Sequence, residues 1–267
     1  MKSMDDIISA IIGAFKAAGF LLLILVMSPI ALAFKRWAPE HPFRIPRLFH
    51  FLLLKLMGVR VRVHGAPSSA SPVLFVSNHT SYLDVPVLGH ILSAGFVAKS
   101  EVADWPVFGF MARVQNTVFI ERRKTCAADQ RTQLQEYLSK KRDLILFPEG
   151  TSTDGLEVLP FKSALFSIVD DSTEGQNITV QPVSVTCVEL DDFPMLREER
   201  AEYAWYGDLS MVPHLWNAFQ HKGFLVEVIF HAPFTYADYP NRKDLAVACQ
   251  DAVTKGVKQS LAHHQSA

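Results

Sequence analysis

The chain has little of what would assign a chemistry at once. Its 267 residues hold three cysteines, Cys126, Cys187 and Cys249, without metal-ligand or redox-pair spacing. No disulfide framework or metal cluster organises it, and its thiols suit a reducing compartment. The sequence also lacks a glycine-rich phosphate loop, an internal repeat and a low-complexity tract. A net charge of −1 excludes a general electrostatic grip on nucleic acid. No metal and no cofactor is expected.

Apolar residues are not scarce. At 49% of the chain they can build a full core. They concentrate at Ile7 to Phe34, where 18 uncharged residues lie between Lys16 and Lys35. About 20 apolar residues are needed to cross a bilayer core, so a tilted span and a helix lying in the interface both fit. A signal peptide fits poorly, because Asp5 and Asp6 replace its basic start. Phe43 to Gly58 reads as a second helix, with Pro46 in its first turn and Gly58 ending it. On a helical wheel Arg44, Arg47 and Lys55 share one side, opposite Ile45, Phe49, Leu52, Leu53 and Leu56. Residues 35–64 carry seven basic groups against one acid, Glu40, a pattern suited to an anionic membrane surface. Residues 1–58 are therefore expected to anchor the protein to a membrane, with packing on the core as the alternative for both helices, and residues 59–267 to form the globular domain. If the first helix spans the inner membrane, Lys35 and Arg36 hold that domain on the cytoplasmic side.

Beyond residue 58, strand-like and helix-like stretches alternate. They imply an α/β fold with a mixed, largely parallel sheet flanked by helices. Val59 to His64 alternates as an edge strand. Further strands are expected at Val73 to Ser77, Gly95 to Lys99, Thr117 to Ile120, Leu144 to Phe147, Ile178 to Val188 and Phe224 to His231. Pro182 suggests an edge position or a bulge for the sixth of these seven. Helices are expected at Val85 to Leu92, Ala127 to Arg142 and Arg242 to His264. The apolar connection beginning at Trp105 suits either a chain groove or the core. The aromatic residues from Tyr203 to Trp216 suit a lipid-entry rim or the core equally.

One turn carries most of the chemistry. The strand Val73 to Ser77 ends in Asn78-His79-Thr80-Ser81, with Asp84 five residues beyond His79 and Thr80 or Ser81 placed to cap the following helix. A neutral imidazole can take a proton from a hydroxyl as that hydroxyl attacks a carbonyl. A carboxylate on its other nitrogen fixes the tautomer and stabilises the cation that forms. Contact requires His79 to lie in the turn, ahead of the helix. A capping histidine and a first-turn aspartate would look the same.

Three further blocks follow in order: Phe119-Ile120-Glu121-Arg122, then Phe147-Pro148-Glu149-Gly150-Thr151, then Val180-Gln181-Pro182-Val183. With Asn78-His79 and Asp84, this series closely resembles the glycerolipid acyltransferase family. The resemblance implies the family's fold and an acyl group moved from a thioester, acyl-CoA or acyl carrier protein, to the free hydroxyl of a lysolipid: 1-acyl-sn-glycerol-3-phosphate or a related lysophospholipid, with lyso-ornithine lipid as the alternative acceptor. It implies His79 as base and Asp84 as its partner. Asn78, Lys99, Arg122, Glu149, Gly150, Thr151 and Lys162 become candidates for substrate contact, with Glu149 alternatively bonding a neighbouring loop. Many lysophosphatidate enzymes continue the Glu-Gly-Thr block with arginine, where this chain has Ser152. That departure, with Asp154-Gly155 and Pro160-Phe161-Lys162-Ser163, resembles enzymes that acylate lyso-ornithine lipid. A thioesterase and a non-catalytic membrane scaffold are the other function classes to distinguish.

Overall fold

The computed structural model describes residues 4–121, 127–169 and 178–265. In chain order its elements are α1 (Met4–Trp37), α2 (Arg44–Met57), β1 (Arg60–His64), β2 (Val73–Ser77), α3 (Asp84–Ile91), β3 (Ala94–Lys99), α4 (Phe108–Val114), β4 (Val118–Ile120), α5 (Ala127–Ser139) and β5 (Asp143–Leu146). Then come β6 (Thr179–Leu190), β7 (Phe193–Pro194), α6 (Arg200–Tyr203), α7 (Met211–Gln220), β8 (Phe224–Phe230), β9 (Phe234–Thr235) and α8 (Arg242–Gln265). Among the described residues one mixed sheet runs β1-β8-β6-β2-β5-β3-β4, with β7 and β9 both pairing with β6.

β2 sits at the centre because it is apolar on both faces. Val73 and Phe75 join one hydrophobic cluster, with side chains of α1, α2, α3 and α7. Leu74 and Val76 join the other, with α5 and α8. Alternate residues of a strand point to opposite faces, so a continuous apolar run belongs between two helical layers. Its parallel neighbours are β5 and β6, with Val76 opposite Leu146 and Pro182. The turns that leave β2 and β5 therefore emerge side by side at one edge of the sheet.

β1 is the edge strand expected from its alternation, paired only with β8 among the described residues. Pro182 departs from expectation, because β6 lies inside the sheet. Its missing N–H falls where the antiparallel partner changes, β9 ending opposite Val180 and β8 beginning opposite Val183. The Pro182 carbonyl still accepts the His231 N–H at 3.0 Å. The register irregularity of this strand lies elsewhere, between Cys187 and Glu189.

α1 has 34 residues, about 51 Å at 1.5 Å per residue. It does not stand apart from the domain. Lys16 Nζ donates to the carbonyls of Met57, His221 and Lys222 at 2.9, 2.6 and 3.1 Å. One ammonium thus caps the chain where α2 and α7 end. Phe20 and Met27 enter the same cluster as Phe49, Leu53, Val87 and Val183, so the boundary expected at residue 58 falls inside shared packing. α2 buries Phe49, Leu53, Leu54 and Met57, leaving Leu48, Phe51 and Leu52 exposed. The apolar face assigned to the membrane from the sequence is therefore divided, because α3 and α1 take up Phe49 and Leu53. Gly58 ends α2 at φ +76°, as its position suggested.

Candidate active site

His79 and Asp84 meet. Nδ1 of His79 lies 2.9 Å from Oδ2 of Asp84. The same oxygen accepts the backbone N–H groups of Thr80 and Ser81 at 2.7 and 2.9 Å. Asp84, fully buried as the first residue of α3, reaches back over the turn. Of the two expected caps Ser81 serves: its Oγ accepts the Leu83 N–H at 3.2 Å, while Asp84 reaches back to the Ser81 N–H, a reciprocal pair of bonds across the first turn. Ring geometry keeps His79 in the turn, where it stacks on Phe147 with centroids 4.2 Å apart. Phe147 follows β5, and the parallel register between β2 and β5 puts it beside that turn.

Oδ1 of Asp84 is occupied as well. Tyr203 Oη donates to it at 2.9 Å, and Thr80 Oγ1 lies 3.2 Å away. Burial pushes the Tyr203 phenol well up, so it remains a donor throughout the physiological range. A carboxylate surrounded by donors is an acceptor, so Nδ1 of neutral His79 carries the proton. Nε2 then holds the lone pair available to the cavity that His79 lines.

That cavity encloses about 340 Å³. Tyr82, Phe96, Trp105 and Phe147 make its apolar walls, and Lys99, Thr151 and Ser152 add polar groups. Such an arrangement can activate a hydroxyl beside an apolar chain. The amides of His79, Thr80 and Ser81 are already engaged by Glu149 and Asp84. An oxyanion formed here must find its donors elsewhere.

The comparisons with known proteins decide the family. A family model described as Acyltransferase matches residues 60–186. A lyso-ornithine lipid O-acyltransferase of Brucella abortus is 35% identical over 248 residues, which are 91% of this chain and 93% of that protein. The chain belongs to the acyltransferase family. A 1-acyl-sn-glycerol-3-phosphate acyltransferase of Neisseria gonorrhoeae is 29% identical over 200 residues, covering 74% of this chain and 72% of its own. The crystal structure of the lysophosphatidate acyltransferase PlsC from Thermotoga maritima matches with a TM-score of 0.53 at 21% identity, over 91% of this chain and 97% of that one. At that identity the likeness shows the fold.

The other candidate residues of the acyltransferase fall in different places. Lys99, Gly150 and Thr151 line the cavity with His79. Gly150 holds φ +75°, a conformation side chains disfavour. Asn78 is turned inward: its amide donates to the Val185 carbonyl and accepts the Val185 N–H, each at 2.8 Å. It therefore ties the end of β2 to β6. Glu149, also buried, accepts the His79 N–H at 2.8 Å and the Leu159 N–H at 2.9 Å. Of the two roles considered for it, bonding a neighbouring loop is the one its oxygens fill. The Lys162 side chain is exposed and outside the cavity lining. Arg122 lies outside the described residues. Tyr203, offered by the sequence for a rim or the core, is buried, and no spacing signal links it to its partner Asp84, 119 positions earlier.

Burial raises the Glu149 carboxyl to about 7, against the opposing pull of the Leu159 and His79 N–H groups. The ordinary value is 4.5. With the folded value above the unfolded one, the contribution to stability is complete below pH about 4.5 and is lost as pH rises through about 7. Wild type should therefore lose thermal stability relative to Glu149→Gln between pH 5 and 8. Parallel melting curves across that range would refute a raised carboxyl.

Proposed function

We propose that this acyltransferase transfers an acyl chain from a thioester donor, acyl-CoA or acyl carrier protein, to the hydroxyl of lyso-ornithine lipid. Ser152 is the observation that carries the choice of acceptor. It stands where many lysophosphatidate enzymes place arginine, and its hydroxyl donates to the Trp205 carbonyl. A guanidinium there would bind a phosphate by two charge-assisted hydrogen bonds. The name of the Brucella relative supports the same acceptor. The second reading, a lysophosphatidate acceptor, has the Neisseria relative and the cavity cation Lys99 in its favour.

In the mechanism, Nε2 of His79 takes the acceptor's hydroxyl proton as its oxygen attacks the thioester carbonyl. Asp84 holds the imidazolium that results. Collapse of the tetrahedral intermediate leaves the new C–O bond, breaks the C–S bond, and returns the proton to the departing thiolate. Two bound substrates and one base suffice; no cofactor enters.

A competition assay with both acceptors and both donors tests the reading. Preference for lyso-ornithine lipid is expected, and Ser152→Arg should raise relative use of lysophosphatidate roughly tenfold. A wild-type preference for lysophosphatidate would overturn the acceptor.

The enzyme works on the cytoplasmic face of the inner membrane, with α1 lying in the interface. Lys16 bonds α1 to the domain, which favours the interface over a crossing. A cleft of about 500 Å³, lined by Arg44 and Arg47 together with Glu40, supplies net positive charge to meet anionic lipid. Leu22 and Leu25 are exposed. Leu22→Glu with Leu25→Glu should release the folded protein from anionic vesicles, and unchanged co-sedimentation would refute the assignment.

A further inference from the structure

The dyad is also held from outside the part of the chain that the family model matches. That match ends at residue 186, whereas Tyr203, the last residue of α6, closes over the catalytic turn together with the two residues after it. Each of the three is fastened there. Tyr203 Oη donates to Oδ1 of Asp84 at 2.9 Å. The Ala204 carbonyl accepts from Nε2 of His214 at 3.1 Å, and Nδ1 of that ring accepts the Tyr82 hydroxyl at 2.8 Å. Trp205 donates its N–H to the Thr80 carbonyl at 2.9 Å and accepts the Ser152 hydroxyl on its own carbonyl. Residues 203–205 thus join the His79 turn to the loop that follows Gly150.

Tyr203 is 1% exposed. Its ring meets Phe224 of β8 nearly edge-on, with centroids 5.5 Å apart, and that packing fixes the direction of the phenol. The residue takes no part in the wall of the catalytic cavity, which Tyr82 and Trp205 do line. Its hydroxyl therefore bears on the reaction only through Asp84. Oδ2 of that carboxylate meets three donors, the His79 ring and the N–H groups of Thr80 and Ser81. Oδ1 meets two hydroxyls, and Tyr203 stands closer than Thr80, at 2.9 against 3.2 Å. A buried carboxylate oxygen short of donors is costly, so without Tyr203 the carboxyl would turn to recover one and draw Oδ2 off the imidazole.

We propose that Tyr203 is a positioning residue of the acyltransferase: by pinning Oδ1 it fixes the rotation of Asp84, so that Oδ2 stays on Nδ1–H of His79 and Nε2 stays free to take the acceptor's proton. A neutral imidazole carries its proton on either nitrogen, and the acceptor it meets selects which. If Asp84 turns, that selection weakens. A share of the His79 rings then holds the proton on Nε2, the nitrogen that must be bare for the chemistry. The inference rests on His79 being the base of the proposed transfer reaction.

The test compares the full-length enzyme with Tyr203→Phe, Asp84→Asn and the double variant, using the donor and acceptor that the competition assay favours. Tyr203→Phe keeps the ring beside Phe224 and removes the hydroxyl. It should lower kcat roughly three- to tenfold, the effect of one ordinary hydrogen bond, with KM little changed. Ring-nitrogen chemical shifts of His79, assigned against His79→Ala, should show a neutral ring protonated on Nδ1 in wild type and divided between both tautomers in Tyr203→Phe. In the Asp84→Asn background the same substitution should cost no further activity, because its route runs through the carboxylate. A lower Tm with an unchanged tautomer, or additive losses in the double variant, would make Tyr203 a packing residue and overturn the proposal. So would a wild-type kcat in Tyr203→Phe. Should that variant fail to fold, wild type still decides: the Tyr203 hydroxyl proton must be protected from exchange with water, and rapid exchange would overturn the bond. Full transfer by His79→Ala would defeat the base itself, while the tautomer readout judges Tyr203 separately.

Discussion

His79→Ala is expected to lower kcat for acyl transfer by about 10²–10⁴-fold, the usual range for loss of a positioned general base. The effect should fall on kcat more than on KM. The imidazole is the group at the cavity able to take a proton, whereas Tyr82, Phe96 and Trp105 would still hold the chain. The fold should survive. The His79 side chain is 22% exposed, and its backbone N–H keeps its bond to Glu149 in the variant. Circular dichroism and Tm therefore serve as the control. Transfer at near wild-type rate by the folded variant would remove His79 from the mechanism.

Asp84→Asn should lower both activity and stability, and this separates it from His79→Ala. Oδ2 of Asp84 meets the His79 ring and the N–H groups of Thr80 and Ser81, while Oδ1 meets Tyr203 Oη and Thr80 Oγ1. An asparagine that points its NH₂ at the Thr80 and Ser81 N–H groups sets donor against donor. Turned the other way, its NH₂ can donate to the Tyr203 and Thr80 hydroxyls, but those must then redirect their own protons in a site closed to water. Either arrangement leaves polar hydrogens unpaired, at a cost of about 1–3 kcal/mol. The amide can also hold His79 in the wrong tautomer, with Nε2 carrying the proton. Activity should then fall about 10³-fold or more, together with a clear loss of Tm. Near wild-type transfer by Asp84→Asn would refute the pairing. Lost activity at unchanged Tm would mean that the turn does not depend on the carboxylate.

Other residues of the site were legible in kind but not in role. Asn78 and Glu149 stand in the right blocks, yet their polar atoms are taken by Val185, His79 and Leu159. Block position placed them near the chemistry. Which way a short side chain turns depends on the neighbouring strand and loop, and no residue count within the turn carries that information. Pro182 failed as an edge marker for a related reason. A missing N–H is tolerated inside a sheet where the partner strand changes, and that change lies in the pairing of β8 and β9, not in the sequence around the proline.

Much was written in the chain alone: the strand-and-turn pattern, the apolar run of β2, the basic N-terminal block and the spacing of His79 and Asp84. These depend on periodicity and on residues close together in the chain, where local chemistry is enough. Tertiary structure alone decided that Tyr203 completes the environment of Asp84, that Lys16 fastens α1 to the domain, and that Trp205 ties the catalytic turn to the loop of Ser152. Each joins groups brought together only by sheet order and helix packing, and burial then sets whether a polar atom is satisfied, strained for a partner or free to act.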